Sequence, residues 1–206
     1  MTNTPDFENE RMFAALPRYD NDAMARLLAA LASKAGQEGV LDVAYRTVDT
    51  PVGSLLLAAT EQGLVKVAYA VQDHTAVLQQ LSDTLSPRIL LAPARLDEAT
   101  RQIDEYFAGR REQFDLPLDW RLSKGFRRDV LSHLTRIGYG HTESYAQVAV
   151  ASGSPRAVRA VGTACATNPL PLVVPCHRVV RSDGTAGQYV GGKDAKHVLL
   201  TLETAA

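Results

Sequence analysis

The spacing of apolar positions along the chain alternates between a strand-like and a helix-like period. Residues 41–70 contain three short apolar runs, "LDVAYRTVD", "SLLLAAT" and "LVKVAYAV", separated by the turn signals "TPVG" and "EQG". Runs of this length between turn residues are typical of β-strands joined by tight turns. The segment therefore predicts a small antiparallel meander.

Residues 1–40 precede the meander and carry two stretches with helical spacing. Their apolar positions are Met12, Phe13 and Leu16 in the first stretch and Met24, Leu27, Leu28 and Leu31 in the second. The second stretch predicts an amphipathic helix that begins after Asn21 or Asp22 and ends near Gly36. We expect residues 1–40 to be a helical extension packed on the sheet domain. A docking arm and a partly disordered segment are the alternatives.

Helical spacing returns after the meander, at residues 75–86 and from about 94 to 109. The segment that follows, "GRREQFDLPLDWRLSKG", contains a proline, mixed charges and no regular period. Such a segment is typical of a connection between domains. We therefore predict a sheet domain at residues 41–117 and a second domain at residues 118–206.

The second domain has the pattern of a helix-turn-helix. A helix is predicted over "GFRRDVLSHLTRI", and Ser144 is suited to cap a short helix after it. Gly153 and Ser154 predict a tight turn, and Pro155 suits the first turn of a second helix over residues 155–166. Two short helices with a glycine-containing turn fit a helix-turn-helix. An αα-corner that serves only for packing is the alternative.

The second helix of this pair is rich in small residues interrupted by arginines. The small positions are Ala157, Ala160, Gly162, Thr163, Ala164 and Ala166, and the arginines are Arg156 and Arg159. Small side chains allow the backbone to approach a surface closely, and arginines contact phosphate. Because a large set of base-reading side chains is absent, the helix is suited to shape recognition in a narrow groove.

Composition and charge add limits on the function. The chain has 206 residues, of which 46% are hydrophobic, enough for one large or two small domains. Residues 1–117 hold 11 Lys and Arg against 17 Asp and Glu, whereas residues 118–206 hold 11 against 6. The basic second half favours an anionic partner, with a solvated surface as the alternative.

No targeting or membrane signal is evident in the sequence. Its apolar runs are far shorter than the roughly 20 residues of a membrane span, and the first residues lack the order of a signal peptide. We therefore expect a cytoplasmic protein that does not associate with membranes. Its two cysteines, Cys165 and Cys176, form no CxxC motif, which argues against a disulfide framework or a cysteine-rich zinc site.

Cys176 lies directly before His177, in the stretch "NPLPLVVPCHRVVRSDG". A buried filler residue, a metal ligand and a nucleophile are the alternative interpretations of this cysteine. A nucleophilic cysteine needs a base, because the thiolate is the attacking form. Adjacent residues of an extended segment point to opposite faces, so contact between the thiol and the imidazole requires either a sharp turn or a bridging water, and we expect the water.

A third group should hold the imidazole in its useful tautomer. The acidic candidates downstream of His177 are Asp183, Asp194 and Glu203. Glu203 ends the apolar segment "HVLLTLE", which is suited to packing against the cysteine segment.

Three stretches of the second domain resemble those of one known family. They are "PCHRVV" at 175–180, "RAVGTACATNPLP" at 159–171 and "GQYVGGKDAKHVLLTLE" at 187–203. They are similar to the O6-alkylguanine-DNA alkyltransferases, also called methylated-DNA-protein-cysteine methyltransferases, and the resemblance runs from about residue 43 to 204. It implies an α+β fold, with a ribonuclease H-like N-terminal domain that combines a small antiparallel sheet with helices. The implied C-terminal domain is mostly helical and winged-helix-like, with the helix-turn-helix and the active-site cysteine.

The resemblance also implies roles for individual catalytic residues. Cys176 would accept the alkyl group, His177 would act through a water as the general base, and Glu203 would orient that histidine. Asn168 would support the active-site turn. Tyr145 would push the DNA phosphate and donate a proton to the departing guanine.

The same resemblance implies a DNA-contacting face and a substrate pocket. Arg159 would fill the gap left by the flipped nucleotide. The other DNA contacts would come from Tyr145, Arg156, Ala160, Gly162 and Thr163. The pocket for the alkyl group would be walled by Tyr189, Val190, Gly191 and Gly192.

The function implied by the resemblance is DNA repair. The expected substrate is double-stranded DNA that contains O6-alkylguanine, bound through its minor groove by a monomer. The alkyl group would pass irreversibly to the cysteine, in a single turnover without cofactor or metal, because no residue in the sequence would hydrolyse the thioether. The alternatives are a non-catalytic protein that binds alkylation damage and a transcriptional regulator that uses the helix-turn-helix, the latter disfavoured because the helix is poor in base-reading side chains.

Overall fold

A four-stranded mixed sheet forms the first half of the molecule in a computed structural model that describes residues 21–204. Its strands lie in the order β3-β2-β1-β4. Their bounds are β1 (Val43–Thr50), β2 (Gly53–Thr60), β3 (Gly63–Tyr69) and β4 (Ile89–Leu91). The predicted antiparallel meander is present as β1, β2 and β3. The sequence analysis did not predict β4, a three-residue strand that pairs in parallel with β1.

The central strand β2 is buried on both faces. Leu55 and Leu57 belong to the core shared with the C-terminal half, whereas Leu56 and Ala58 pack in a second cluster on the other face. A continuous apolar run such as "LLLAA" is therefore required here, because side chains alternate between two covered faces. One face of this sheet packs against the C-terminal half, which contains the cysteine.

Within residues 21–117, three helices accompany the sheet: α1 (Asn21–Gln37), α2 (His74–Thr84) and α3 (Asp97–Phe107). The latter two correspond to the helical segments predicted at 75–86 and 94–109. A 3₁₀ turn, Pro93–Leu96, occupies the start of the second predicted segment. The side chain of Asp73 caps α2 by accepting hydrogen bonds from the backbone of Thr75 and Ala76.

Helix α1 packs on the sheet half, although not through the face that the sequence analysis expected. Ala32 and Ala35 are buried in a cluster with Leu41, whereas Leu27 and Leu31 are 65% and 51% exposed. The prediction that the leucines form the packing face is therefore wrong. The alanine face packs on the sheet half instead, because small side chains allow the helix to approach more closely than leucines do. The first predicted stretch, around Met12, Phe13 and Leu16, lies outside the described residues.

The second half is mostly helical. It contains α4 (Phe126–Leu134), α5 (Tyr145–Ala151), α6 (Val158–Ala166), α7 (Gly192–Thr204), and a parallel strand pair, β5 (Glu143–Ser144) with β6 (Val179–Val180). Ser144 caps α5 as predicted: its hydroxyl accepts a hydrogen bond from the Gln147 backbone at 3.2 Å. The Gln147 side chain accepts one from the Ser144 backbone in return, which completes a capping box.

Helices α5 and α6 form the predicted helix-turn-helix, but α6 is shorter than expected. It begins at Val158 rather than at residue 155. Pro155 lies instead in a turn closed by a 2.8 Å hydrogen bond from the Ala157 backbone N–H to the Ser154 carbonyl. The fixed φ of proline suits the second position of such a turn, which explains the difference.

The two halves share one continuous core. Leu57, Ile103, Val130 and Leu199 all belong to the same buried cluster. The connecting segment runs beside β3, where the backbone of Leu64 bonds to Pro117 and Asp119, each at 2.8 Å. Gly63 is required at this contact, since a Cβ there would lie 2.1 Å from the Pro117 carbonyl oxygen. Residues of both halves therefore position the site.

Candidate active site

Cys176 lies in a single 3₁₀ turn, Cys176–Arg178, directly before β6. Residues 176 and 177 are therefore not extended, and the sharp turn named as the alternative from the sequence is present. Pro175 precedes the turn, and its carbonyl accepts a 3.0 Å hydrogen bond from the Arg178 backbone, which closes it. The thiol is 1% exposed. The sulfur is therefore held on a tight turn inside the protein.

Asn168 connects the cysteine turn to the loop after α6. Its amide nitrogen donates to the Cys176 Sγ at 3.1 Å and to the Val174 carbonyl at 2.9 Å. Its amide oxygen accepts a hydrogen bond from the Leu170 backbone at 3.0 Å. Asn168 thus forms hydrogen bonds with buried polar groups of the cysteine segment and of the loop after α6, and these bonds fix the orientation of the sulfur.

Burial raises the pKa of the Cys176 thiol to about 11, although the hydrogen bond from Asn168 and the nearby charge of Lys196 act in the opposite direction. A carboxylate or thiolate is disfavoured wherever water is excluded. At neutral pH the free protein therefore holds a thiol, and the sulfur needs a base before it attacks.

His177 and Glu203 form a buried pair next to this thiol. The imidazole Nε2 lies 2.8 Å from Glu203 Oε1. Burial alone would raise the pKa of Glu203, but hydrogen bonds from His177 and Arg178 lower it to about 2. The ionised carboxylate accepts hydrogen bonds only, so Nε2 carries the proton. Asp183 and Asp194, the other candidates for this role, do not reach His177: Asp183 bonds to Thr185, and Asp194 is exposed in the first turn of α7.

The other imidazole nitrogen of His177 is free to accept a proton. Nδ1 is buried and has no hydrogen-bond partner in the part of the chain that the structure describes. Burial lowers the pKa of this histidine, so the ring is neutral and Nδ1 carries a lone pair at physiological pH. The ring forms no direct hydrogen bond with the Cys176 sulfur, which fits a proton relay through water.

Two further side chains hold Glu203, and the sequence analysis missed both. Arg178 donates from Nε to Oε2 and from Nη2 to Oε1, each at 2.9 Å. Tyr106 of α3 donates its hydroxyl to Oε1 at 2.7 Å. Arg178 stands next to the doublet in the sequence, which was a usable signal. Tyr106 is 97 positions from Glu203 in the chain, and only the fold brings it there.

Lys196 of α7 was also missed. Its ammonium group is fully buried and donates to the Val179 carbonyl at 2.6 Å. Burial lowers its pKa, while the two thiols act in the opposite direction. A lysine on the helix face shared with Ala195 and Leu199 was the signal, since an unpaired charge on a buried face is rare. The interaction fixes the strand that follows the cysteine turn.

The bond from Tyr106 gives a first prediction. Tyr106→Phe is expected to lower the free energy of unfolding by about 1.5–3 kcal/mol, because a donor to a buried carboxylate is lost. The matched control is Tyr139→Phe, which removes a half-buried hydroxyl bonded to the Leu202 carbonyl. It should cost about 1 kcal/mol or less, since the acceptor is neutral. Urea unfolding of both variants provides the measurement, and equal losses would contradict the assignment.

The loop of the expected substrate pocket packs on the sheet domain. The hydroxyls of Tyr189 and Tyr69 are 2.8 Å apart, and the Tyr189 ring meets the His177 ring edge-on. A Cβ on Gly191 would lie 2.7 Å from the Tyr69 ring, so only glycine fits there. Val190 faces a different cavity, described below, and Gly192 begins α7 with a φ of 89°.

Tyr145 stands at the start of α5 and is half-buried beside the sulfur. Burial and two neighbouring thiols, Cys165 and Cys176, raise its pKa. A Cβ on Gly187 would lie 2.5 Å from its hydroxyl oxygen, so the loop and this ring are closely packed. Cys165 is 4% exposed in the core, and burial raises its pKa strongly. Cys165 is therefore a packing residue with little thiolate.

The expected DNA-contacting residues lie together on one exposed surface. Arg159, Ala160 and Thr163 are exposed on α6, and Arg156 is exposed in the turn before it. Gly162 is half-buried in the same helix, and a Cβ built on it meets no atom within 4 Å. The protein itself therefore does not require glycine at this position.

Two negative findings concern residues 21–204. Their His, Cys, Asp and Glu side chains form no group of three or more suited to holding a metal ion. Within the same residues, no helix has the length and apolar character needed to cross a membrane.

The fold and the site together define a class, namely α+β proteins that hold a buried cysteine and a His–Glu pair beside a helix-turn-helix. Comparison with known families shows to which family the chain belongs. Residues 43–120 match the ribonuclease-like domain of 6-O-methylguanine DNA methyltransferase, and residues 125–205 match its DNA binding domain. The chain therefore belongs to the methylated-DNA-protein-cysteine methyltransferase family.

Individual relatives agree with this placement. The constitutive methylated-DNA-protein-cysteine methyltransferase of Bacillus subtilis is 39% identical over 77% of this chain and 94% of its own length. The Mycolicibacterium paratuberculosis enzyme is 41% identical over 78% and 92%. Among solved structures, Mycobacterium tuberculosis OGT in complex with DNA matches with a TM-score of 0.67 and 35% identity, over 79% of this chain and 93% of that one. In that solved structure the Mycobacterium tuberculosis protein is bound to DNA.

Proposed function

We propose that this protein repairs DNA by transferring the alkyl group of O6-alkylguanine irreversibly to the sulfur of Cys176. The observation that carries the proposal is the buried His177–Glu203 pair on the residue that follows Cys176, whose Nδ1 has no hydrogen-bond partner within residues 21–204. Family membership supports the same reaction. A fixed histidine base and a buried thiol are the elements that nucleophilic catalysis by cysteine requires.

The first step is activation of the sulfur. The thiol proton passes through a water to Nδ1 of His177, while Glu203 accepts the hydrogen bond from Nε2 and stabilises the imidazolium that forms. The bond from Asn168 to the sulfur favours the thiolate, because a donor stabilises the charged form. The activated sulfur then attacks the alkyl carbon.

Bond formation and bond cleavage balance in this displacement. A sulfur–carbon bond forms, the bond between that carbon and guanine O6 breaks, and guanine takes the electron pair. The Tyr145 hydroxyl donates a proton to the departing guanine and regains one through solvent from His177. Over the whole reaction the thiol hydrogen reaches guanine and the alkyl group reaches sulfur. The thioether remains, so each molecule reacts once and consumes no cofactor.

The buried sulfur requires that the damaged base enter the protein. The thiol is 1% exposed, and a base inside a duplex is out of reach of any such group. Helix α6 lies in the minor groove in this proposal, with its small residues against the groove. Arg159 takes the place of the extruded nucleotide and offsets part of the unstacking cost, which is a few kcal/mol.

Gly162 gives a prediction for this contact. Gly162→Ala is expected to weaken duplex binding on the order of tenfold, because the added methyl group would crowd the groove. Protein stability should be unchanged or higher by about 1 kcal/mol, since alanine is the better helix former. Gly36→Ala in α1 is the matched control, because a Cβ there also meets no atom within 4 Å. Fluorescence anisotropy with labelled duplex measures affinity, and equal affinities of the two variants would argue against close approach.

The intact mass of the protein tests the proposed reaction. After incubation with a duplex that contains O6-methylguanine, the protein should gain one methyl group in place of a hydrogen. Cys165→Ala should retain this gain and Cys176→Ala should lose it. An unchanged mass with retained binding to the lesion would contradict the reaction and favour a non-catalytic damage-binding protein.

A further inference from the structure

A cavity of about 460 Å³ lies at the junction of the two halves and is lined in part by Asn168. Strand β3 contributes Lys66 and α4 contributes Arg127 to its lining. The wall of the cavity also includes Gln80 of α2, Thr167 at the end of α6 and Val190 of the pocket loop. Asn168, which holds the sulfur, and Val190 also line this cavity, but none of the roles proposed above uses its two cations.

The two cations of the cavity have no compensating negative charge. The described residues that line it include no aspartate or glutamate. Lys66 forms no ion pair in residues 21–204, and the guanidinium of Arg127 bonds to the Leu122 carbonyl. Burial lowers the pKa of Lys66, and the charge of Arg127 lowers it further. The cavity therefore holds two like charges whose repulsion an anion would relieve.

The neutral groups of the wall are also suited to an anion. The Gln72 side-chain oxygen accepts a hydrogen bond from the Tyr69 backbone at 3.0 Å, which leaves its NH₂ group as a donor. The side-chain amide of Gln80 supplies a further donor at the same wall. Cationic groups together with neutral donors are the environment in which oxyanions bind.

We propose that this cavity is a binding site for a phosphate-type oxyanion, held between Lys66 and Arg127. Two sources share this chemistry, a free phosphate and a backbone phosphate of bound DNA. The second source is near, because Ala166 and Thr167 line the cavity and are exposed at the end of the DNA-facing helix α6.

The bound anion would join elements next to the reactive sulfur. The Val67 backbone, one residue from Lys66, donates a 2.8 Å hydrogen bond to the Pro169 carbonyl. The neighbouring Asn168 holds the Cys176 sulfur. An anion that bridges β3 and α4 would therefore stabilise the junction that supports the nucleophile.

The first arm of the test measures phosphate binding without DNA. Inorganic phosphate is titrated by calorimetry at constant ionic strength, with chloride as the balancing anion. The wild-type protein should show saturable binding, and Lys66→Met should weaken it on the order of tenfold, because a charged donor is lost. Lys66→Arg should restore most of the affinity. Arg110→Met removes an exposed cation outside the cavity and should change nothing. Arg127→Met replaces Lys66→Met if that variant does not fold.

The second arm identifies the source and uses undamaged duplex, so it does not depend on alkyl transfer. If a DNA phosphate occupies the cavity, Lys66→Met should reduce the slope of log affinity against log salt by about 0.9. If free phosphate is the ligand, that slope should be unchanged and the phosphate titration alone should depend on Lys66. The proposal is overturned if neither measurement depends on Lys66 or on Arg127.

Discussion

His177→Gln is expected to slow alkyl transfer by about 10²–10⁴, the usual contribution of a positioned general base. The reason is the state of the thiol. Burial raises the pKa of Cys176 to about 11, so without a base only a small thiolate fraction exists at neutral pH. Single-turnover rates on O6-methylguanine duplex measure the effect. Glutamine is the preferred replacement, because its amide still donates to Glu203 and the buried carboxylate keeps a partner.

The pH dependence separates this role from a structural one. In the His177→Gln variant the rate should rise about tenfold per pH unit above pH 7, because it follows the thiolate fraction below a pKa of about 11. In the wild-type protein the rate should be nearly flat over the same range. Burial lowers the pKa of His177, so the base is neutral there and loses function only as pH falls through that lowered pKa. Parallel profiles for the two proteins would show that His177 is not the base.

Arg159→Ala is expected to have the second largest effect, and only on duplex substrate. Extrusion of a base costs a few kcal/mol, so loss of the residue that fills the gap should slow repair of duplex by about 10–100-fold. The reaction with free O6-alkylguanine base should be nearly intact, because no nucleotide is flipped. Arg159 is exposed on α6 and is not part of the sulfur's hydrogen-bond network.

Arg156→Ala is the control for the loss of a cation on the same surface. Arg156 is exposed in the turn before α6 and is expected to contact phosphate only. This variant should weaken DNA binding and reduce its salt dependence, with little effect on the transfer step once DNA is saturating. Equal losses on duplex and free base for Arg159→Ala would contradict a flipping role.

Local signals in the sequence predicted the elements that carry the site. The N-cap at Ser144 and the helical spacing of α2, α3 and α4 depend on residues close together in the chain, so the sequence was sufficient to predict them. The same reasoning failed at Pro155, where a turn and a first helical position make similar demands on φ. It also left the turn at residues 176 and 177 open, since an isolated 3₁₀ turn has no periodic pattern.

Long-range contacts explain what the sequence did not reveal. Tyr106 meets Glu203 and Tyr69 meets Tyr189 only because the sheet half packs on the helical half. The family resemblance implied Glu203 rather than Asp183, but the residues alone left this choice open until the packing of α7 beside the cysteine turn was known. A sequence pattern shows which residues are suited to chemistry, but the distance between them is a property of the packed core.

The most direct test of the account locates the alkyl group by fragmentation mass spectrometry after reaction with O6-methylguanine duplex. Trypsin cleavage after Arg159 and Arg178 releases residues 160–178 as one peptide, which contains both cysteines of the chain. The methyl group should be found on Cys176, with Cys165 unmodified. A methyl group on Cys165, or a peptide without any methyl group from a protein that has repaired its duplex, would contradict the assignment of Cys176 as the acceptor.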